Sequence, residues 1–177
     1  YVVHMTSRSR SIDLSAPNIT YDELSSDEDV ARHHAFRKSL FGSDYPIPER
    51  EPEHLKPHYF AIRKDGEFLA AVICTEAEGE VWELKNLAVL VEYRKTGLLE
   101  AMLQYAEREA MRRGVKDIRL HSREIGIPFF AAHGYAVQNY SFELPNRGRL
   151  FEMTKTLNGK LPMSKDELMA AYRPDSP

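Results

Sequence analysis

Apolar residues alternate with polar ones in the middle and final thirds of the chain, and they recur at helical spacing between those stretches. Asn18 to Leu24 reads as a first strand. A helix follows, opened by the capping box Ser25–Glu28 and the acidic run Asp27-Glu28-Asp29, and stopped by Gly42. Val30, His33 or His34, Arg37, Leu40 and Phe41 mark its inner face. A Pro- and Glu-rich loop spans Ser43 to Pro57, long enough to suggest a functional role. His58–Arg63 and Glu67–Thr75 flank the hairpin turn Lys64-Asp65-Gly66, and Glu80–Leu90 is a fourth strand. There, alternation places Val81, Glu83, Lys85 and Leu87 on one face and Trp82, Leu84, Asn86 and Ala88 on the other. A long helix is expected from Thr96 to Arg113, burying Leu98, Ala101, Met102 and Tyr105 and keeping Glu107, Arg108, Arg112 and Arg113 wet. Strand Val115–His121, short helix Ile127–His133 and strands Tyr135–Leu144 and Arg149–Leu157 complete the core. The box Ser164–Glu167 predicts a last helix to Tyr172.

This order defines an α/β fold with a mixed, mostly antiparallel twisted sheet of about six to seven strands flanked by helices. Residues 5–157 read as one domain and 158–177 as a tail with a short helix. Residues 1–4 precede Met5 and read as a remnant outside the fold.

Composition narrows the chemistry. Of the 177 residues, 42% are hydrophobic and 29% charged, as in an ordinary soluble globule. A formal net charge of −3 argues against nucleic-acid binding through a broad basic face. No apolar run is long enough for a membrane span, so a cytoplasmic setting is the expectation. Cys74, the single cysteine, lies in an apolar strand and reads as a buried hydrophobe. No zinc-ligand spacing occurs, and His33-His34 lacks a third ligand, so no metal is expected.

The richest stretch is Asn86 to Leu103, an apolar strand running through a basic turn into an amphipathic helix. A helix start presents unpaired N–H groups and the positive end of the dipole, a natural anion site. Arg94-Lys95-Thr96-Gly97-Leu98-Leu99 resembles the Q/R-x-x-G-x-G/A loop of the GCN5-related N-acetyltransferases. The preceding Asn86-Leu87-Ala88-Val89 resembles that family's "NLAV" strand. Gly114-Val115-Lys116-Asp117-Ile118-Arg119-Leu120 is similar to the family strand that diverges from its neighbour and opens a slot. Pro128-Phe129-Phe130-Ala131-Ala132-His133-Gly134-Tyr135 is similar to its "FYEKLGF" segment.

The resemblance implies an acyl-CoA N-acyltransferase-like fold and acetyl transfer from acetyl-coenzyme A to an amine of a small molecule or peptide. It implies that Leu87, Ala88 and Val89 pair with the pantetheine arm, a backbone N–H at or near Leu87 facing the thioester. The amides of Arg94, Lys95, Thr96, Gly97, Leu98, Leu99 and Glu100 would hold the pyrophosphate, and Phe129 and Phe130 would line the channel. Glu83 takes the place of the family base. The acid, usually a tyrosine at the place of Phe130, is missing there, and His121 is the substitute by position. The chain also departs from the pattern at Leu99, which either crowds the pyrophosphate or turns inward and packs. The loop acids Asp44, Glu49, Glu51 and Glu53 would favour a cationic acceptor. A catalytically inactive module of the same fold is the alternative. A homodimer through the last strands and tail is compatible with the sequence, which does not demonstrate it.

Overall fold

A computed structural model describes residues 11–42, 47–145 and 148–157, apart from the side chains at 139 and 140. Its sheet has seven strands: β1 (Ile19–Leu24), β2 (His58–Lys64), β3 (Glu67–Ala77), β4 (Val81–Val89), β5 (Asp117–Arg123), β6 (Ala136–Leu144) and β7 (Gly148–Thr156). Their spatial order is β1-β2-β3-β4-β5-β7-β6. Every neighbouring pair is antiparallel except β4 and β5, which run parallel. Helix α1 (Asp27–Phe41) follows β1, α2 (Leu98–Arg112) crosses from β4 to β5, and α3 (Ile127–Ala132) lies between β5 and β6. The element order is the one the sequence pattern implies.

The two faces of the sheet carry unequal cores. Under α2 lies the main one, where Phe60, Val72, Leu84, Leu98, Met102 and Leu120 are sealed from water. Under α1 lies a smaller cluster of Leu24, Val30, Tyr59, Ala61, Phe68 and Ile73. Helix α1 buries Val30, His33 and Arg37, so two of its three inward residues are polar. A helix that turns His and Arg toward the sheet gains little from apolar burial, and those groups need polar partners there.

Local chemistry shifts several expected boundaries. The cap of α1 is Ser26, whose Oγ accepts from the Asp29 N–H at 3.1 Å, not Ser25. Helix α2 begins at Leu98 and not at Thr96, because Lys95 and Gly97 take left-handed backbones with φ of 64° and 85°. Glu107 was expected to be wet but is buried: its carboxylate accepts from Tyr135 Oη at 3.0 Å and from Lys155 Nζ at 2.9 Å. The final predicted helix, 164–172, lies outside the described residues.

The alternation expected along β4 breaks at Asn86. Ala71 pairs with Ala88 and Ile73 with Lys85, so two residues of β4 oppose one of β3. Asn86 has a left-handed φ of 52°, a conformation that asparagine tolerates better than most residues. Before this bulge Trp82 and Leu84 point to the main core. After it Leu87 and Val89 do so, and Leu87 therefore leaves the face it was expected to share with Glu83 and Lys85.

Candidate active site

Parallel pairing of β4 with β5 runs only from Val81–Asp117 to Leu84–Leu120. Beyond it β4 continues to Val89 and β5 to Arg123 without pairing to each other. The sheet thus splits in its middle, and β4 keeps an unpaired backbone edge along Lys85–Val89 on the β5 side. The bulge at Asn86 lies at the start of this split.

At the far end of β4, a short 3-10 turn at Val91–Tyr93 leads to the basic loop. Thr96 Oγ1 donates to the Tyr93 carbonyl and ties the loop back. Gly97 is the N-cap, with no side chain to satisfy the helix start. The first intrahelical bond runs from the Ala101 N–H to the Gly97 carbonyl at 2.9 Å, so the amides of Leu98, Leu99 and Glu100 have no partner within the helix. The left-handed Lys95 and Gly97 turn the loop sharply into α2. Leu98 is fully buried, and Leu99 is half-buried and packs against the main core.

Glu83 and His121, on opposite sides of the split, come together. Their carboxylate and Nδ1 lie 3.9 Å apart, and each side chain keeps about a quarter of its surface exposed, 25% and 27%. Arg119, paired with Glu83 in the parallel register, donates to its other carboxylate oxygen at 3.1 Å. The His121 ring packs edge-on against Phe142 of β6, their centroids 5.3 Å apart. Phe129 and Phe130 sit on α3 as an edge-to-face pair 5.1 Å apart, and Phe130 meets Tyr135 at 5.7 Å. Tyr135 is buried against Glu107; burial and that carboxylate raise its phenol well above the usual range, so it is a core group and not a ready acid.

A second polar group lies behind the bulge, and sequence reading missed it as a unit. Arg37 is fully buried. Its Nε donates to His33 Nδ1 at 2.9 Å, and its Nη1 donates to Asn86 Oδ1 at 3.1 Å. Because Nδ1 accepts, the His33 proton resides on Nε2 and is donated to the Phe60 carbonyl at 3.0 Å. Burial lowers the His33 imidazole to about 4 and the Arg37 guanidinium to about 10. The available signal was His33 and Arg37 four residues apart on one helix face, with an asparagine inside an apolar strand.

Of the loop acids, Glu51 is nearly buried. Its N–H donates to Tyr59 Oη at 3.0 Å and its carboxylate lies 3.5 Å from Lys85 Nζ. Glu49 and Glu53 are exposed, and Asp44 lies outside the described residues. Among the described residues no cluster of three or more His, Cys, Asp or Glu is placed to hold a metal. No helix among them is long and apolar enough to cross a membrane.

A split sheet beside an amide-rich helix start is the arrangement of acyl-coenzyme A transferases. Residues 20–135 match the model of the acetyltransferase (GNAT) family, and the chain belongs to that family. No curated protein sequence matches it. Among solved structures it is similar to the ribosomal-protein-S18-alanine N-acetyltransferase of Escherichia coli, at 19% identity over 82% of this chain and 96% of that one, with a TM-score of 0.65. It is also similar to ElaA of Escherichia coli, at 13% identity over 77% and 99% of the two chains and a TM-score of 0.66. Ard1 of Thermoplasma volcanium is similar at 13% identity over 80% and 99%, again with a TM-score of 0.66. At these identities the likeness is one of fold.

Proposed function

We propose that the chain transfers an acetyl group from acetyl-coenzyme A to the amine of a small molecule or peptide, by direct attack within a ternary complex. The observation that carries this reading is the approach of Glu83 and His121 across the split, beside the unpaired edge of β4.

The residues fit the donor. The start of α2 offers the amides of Leu98, Leu99 and Glu100, which have no partner within the helix, at the positive end of its dipole, suited to a pyrophosphate. The edge of β4 at Leu87–Val89 offers ladder groups to an extended amide-bearing arm, as an added strand would. Phe129 and Phe130 supply an apolar wall near the split. Leu99, leaning on the core, leaves the backbone to make these contacts. When bound, the thioester supplies an acyl carbon activated toward nucleophiles.

A typical alkyl amine has a solution pKa of ~10 and must lose a proton to react. Glu83 accepts that proton, directly or through a water, with Arg119 fixing the orientation of its carboxylate. The backbone N–H at or near Leu87 faces the developing oxyanion. His121 protonates the departing thiolate, in place of the tyrosine that Phe130 replaces.

The test is calorimetric titration with acetyl-coenzyme A and with coenzyme A, followed by thiol release over a panel of amines. Micromolar binding with amine-dependent thiol release supports the reading. Binding without release from any amine would make the chain a non-catalytic module. Absence of binding that Leu99→Gly restores would place the Leu99 side chain in the phosphate path.

A further inference from the structure

Arg37 is a buried cation with no direct ion pair; the Glu51 carboxylate acts on it only through space. Among the described residues no carboxylate lies within ion-pair distance of it, and its two hydrogen-bond partners, His33 and Asn86, are neutral. Its Nη2 is buried and donates to nothing. Removing a guanidinium from water costs several kcal/mol, so such groups are almost always paired. Glu51 already meets Lys85 directly, so the negative charge near Arg37 is shared.

The surroundings say where a further anion would sit. Arg37 contacts Asn86 at the bulge of β4, and Lys85 precedes Asn86 on the face that carries Glu83. Arg119 stands on the same face, and its Nε is also buried without an acceptor. Three cations, Arg37, Lys85 and Arg119, therefore face two carboxylates, Glu51 and Glu83. One positive charge is left over, with guanidinium N–H groups lacking acceptors. A single planar carboxylate matches that excess and that geometry; a phosphate dianion would exceed it.

We propose that Arg37 and Lys85, beside the Asn86 bulge, form a carboxylate subsite, so that the acceptor is an amine that also carries a carboxylate, such as an amino acid or short peptide. The proposal rests on the transferase reading above for its amine. Lys85 is two residues from Glu83 on the strand, about 7 Å away, so one small molecule spans carboxylate and reacting amine. The acidic loop does not favour a polyamine here, because Glu51, the loop acid that reaches this face, already meets Lys85. Arg37 and Lys85 are binding residues in this scheme and take no part in proton transfer.

The test compares amino acids and dipeptides with their carboxamides. Binding is read by calorimetry in the presence of coenzyme A, and turnover by thiol release with acetyl-coenzyme A. The carboxylate forms are expected to bind at least about tenfold more tightly than the carboxamides. Lys85→Gln, on a part-exposed side chain, should raise acceptor KM for the carboxylate forms with a smaller change in kcat, narrowing that preference to under about threefold. Arg37→Gln should do the same if it folds. Equal acetylation of both forms would overturn the subsite and leave the transferase reading intact. Carboxylate-selective binding without acetyl transfer would support the subsite and overturn the transferase reading. Failure of every carboxylated probe to bind would overturn the subsite.

Discussion

Asn86 Oδ1 accepts a hydrogen bond from Arg37 Nη1 at 3.1 Å, joining α1 to the only residue of β4 with a left-handed backbone. The contact holds the bulge where the sheet begins to split. Asn86→Val would force a β-branched residue into the left-handed region and remove the acceptor of a buried guanidinium. The expected loss is about 2–4 kcal/mol in urea unfolding. Asn86→Gly keeps the backbone conformation and loses only the hydrogen bond, so it should cost roughly half as much.

The basic loop separates backbone demands from side-chain demands. Gly97→Ala places a side chain at φ 85° and should cost about 1–2 kcal/mol. Lys95 occupies φ 64° at similar strain, and Lys95→Gly trades relief of that strain against chain entropy. Its stability should stay within about 1 kcal/mol of the parent. If the loop amides hold the pyrophosphate, Gly97→Ala also weakens coenzyme A binding in calorimetry, whereas Lys95→Gly loses only the contribution of one cation.

Leu99 offers a direct check on which way its side chain is used. It is half-buried against the main core, so Leu99→Ala should lower stability by about 1–2 kcal/mol in thermal or urea unfolding. Coenzyme A affinity should hold or rise. A variant of unchanged stability and lower affinity would show that the side chain serves the ligand and not the core.

Acid should destabilise the fold in two successive windows. The His33 pKa falls from 6.5 in the unfolded chain to about 4 when folded, so the unfolded state binds the proton first. Stability is therefore lost as pH drops from about 6.5 to about 4, on the order of 3 kcal/mol in total. The Glu23 carboxyl is held down to about 2 from 4.5, chiefly by its hydrogen bond from His58 and by Arg113. Its contribution is present above about pH 4.5 and is lost between there and about pH 2. Unfolding monitored across pH should show both windows, and His33→Leu should remove the upper one.

Transfer chemistry has its own check. Glu83→Gln keeps the shape and the Arg119 contact but cannot accept a proton. It should lower kcat by about a hundredfold with little change in acceptor KM, measured by thiol release.

Much of this was legible in the chain. Strand alternation, the Gly97 turn and the hairpin at Lys64-Asp65-Gly66 are local signals, and each element lies within a few residues of where they point. The pairing of Glu83 with His121 follows from strand positions once β4 and β5 are neighbours. The bulge at Asn86 was not legible, because period-two alternation has no way to count an extra residue that only a partner strand reveals. Buried Glu107 escaped for a related reason: its partners, Tyr135 and Lys155, come from 28 and 48 residues away. A charged residue on a helix reads as wet until tertiary contacts supply a hydroxyl and an amine.

An ordinary open sheet has two exposed borders, and each invites another polypeptide to pair with it. Here β4 and β5 part after Leu84 and Leu120, which gives the sheet two additional borders in its interior. Those inner borders are walled by each other and by flanking helices, so a neighbouring protein chain with bulky side chains is a poor fit. On the transferase reading proposed above, the occupant would be a slender, unbranched molecule with spaced amides. The outer borders, at β1 and β6, have no such walls between them, so the interior gap and the two ends of the sheet differ in what they can admit.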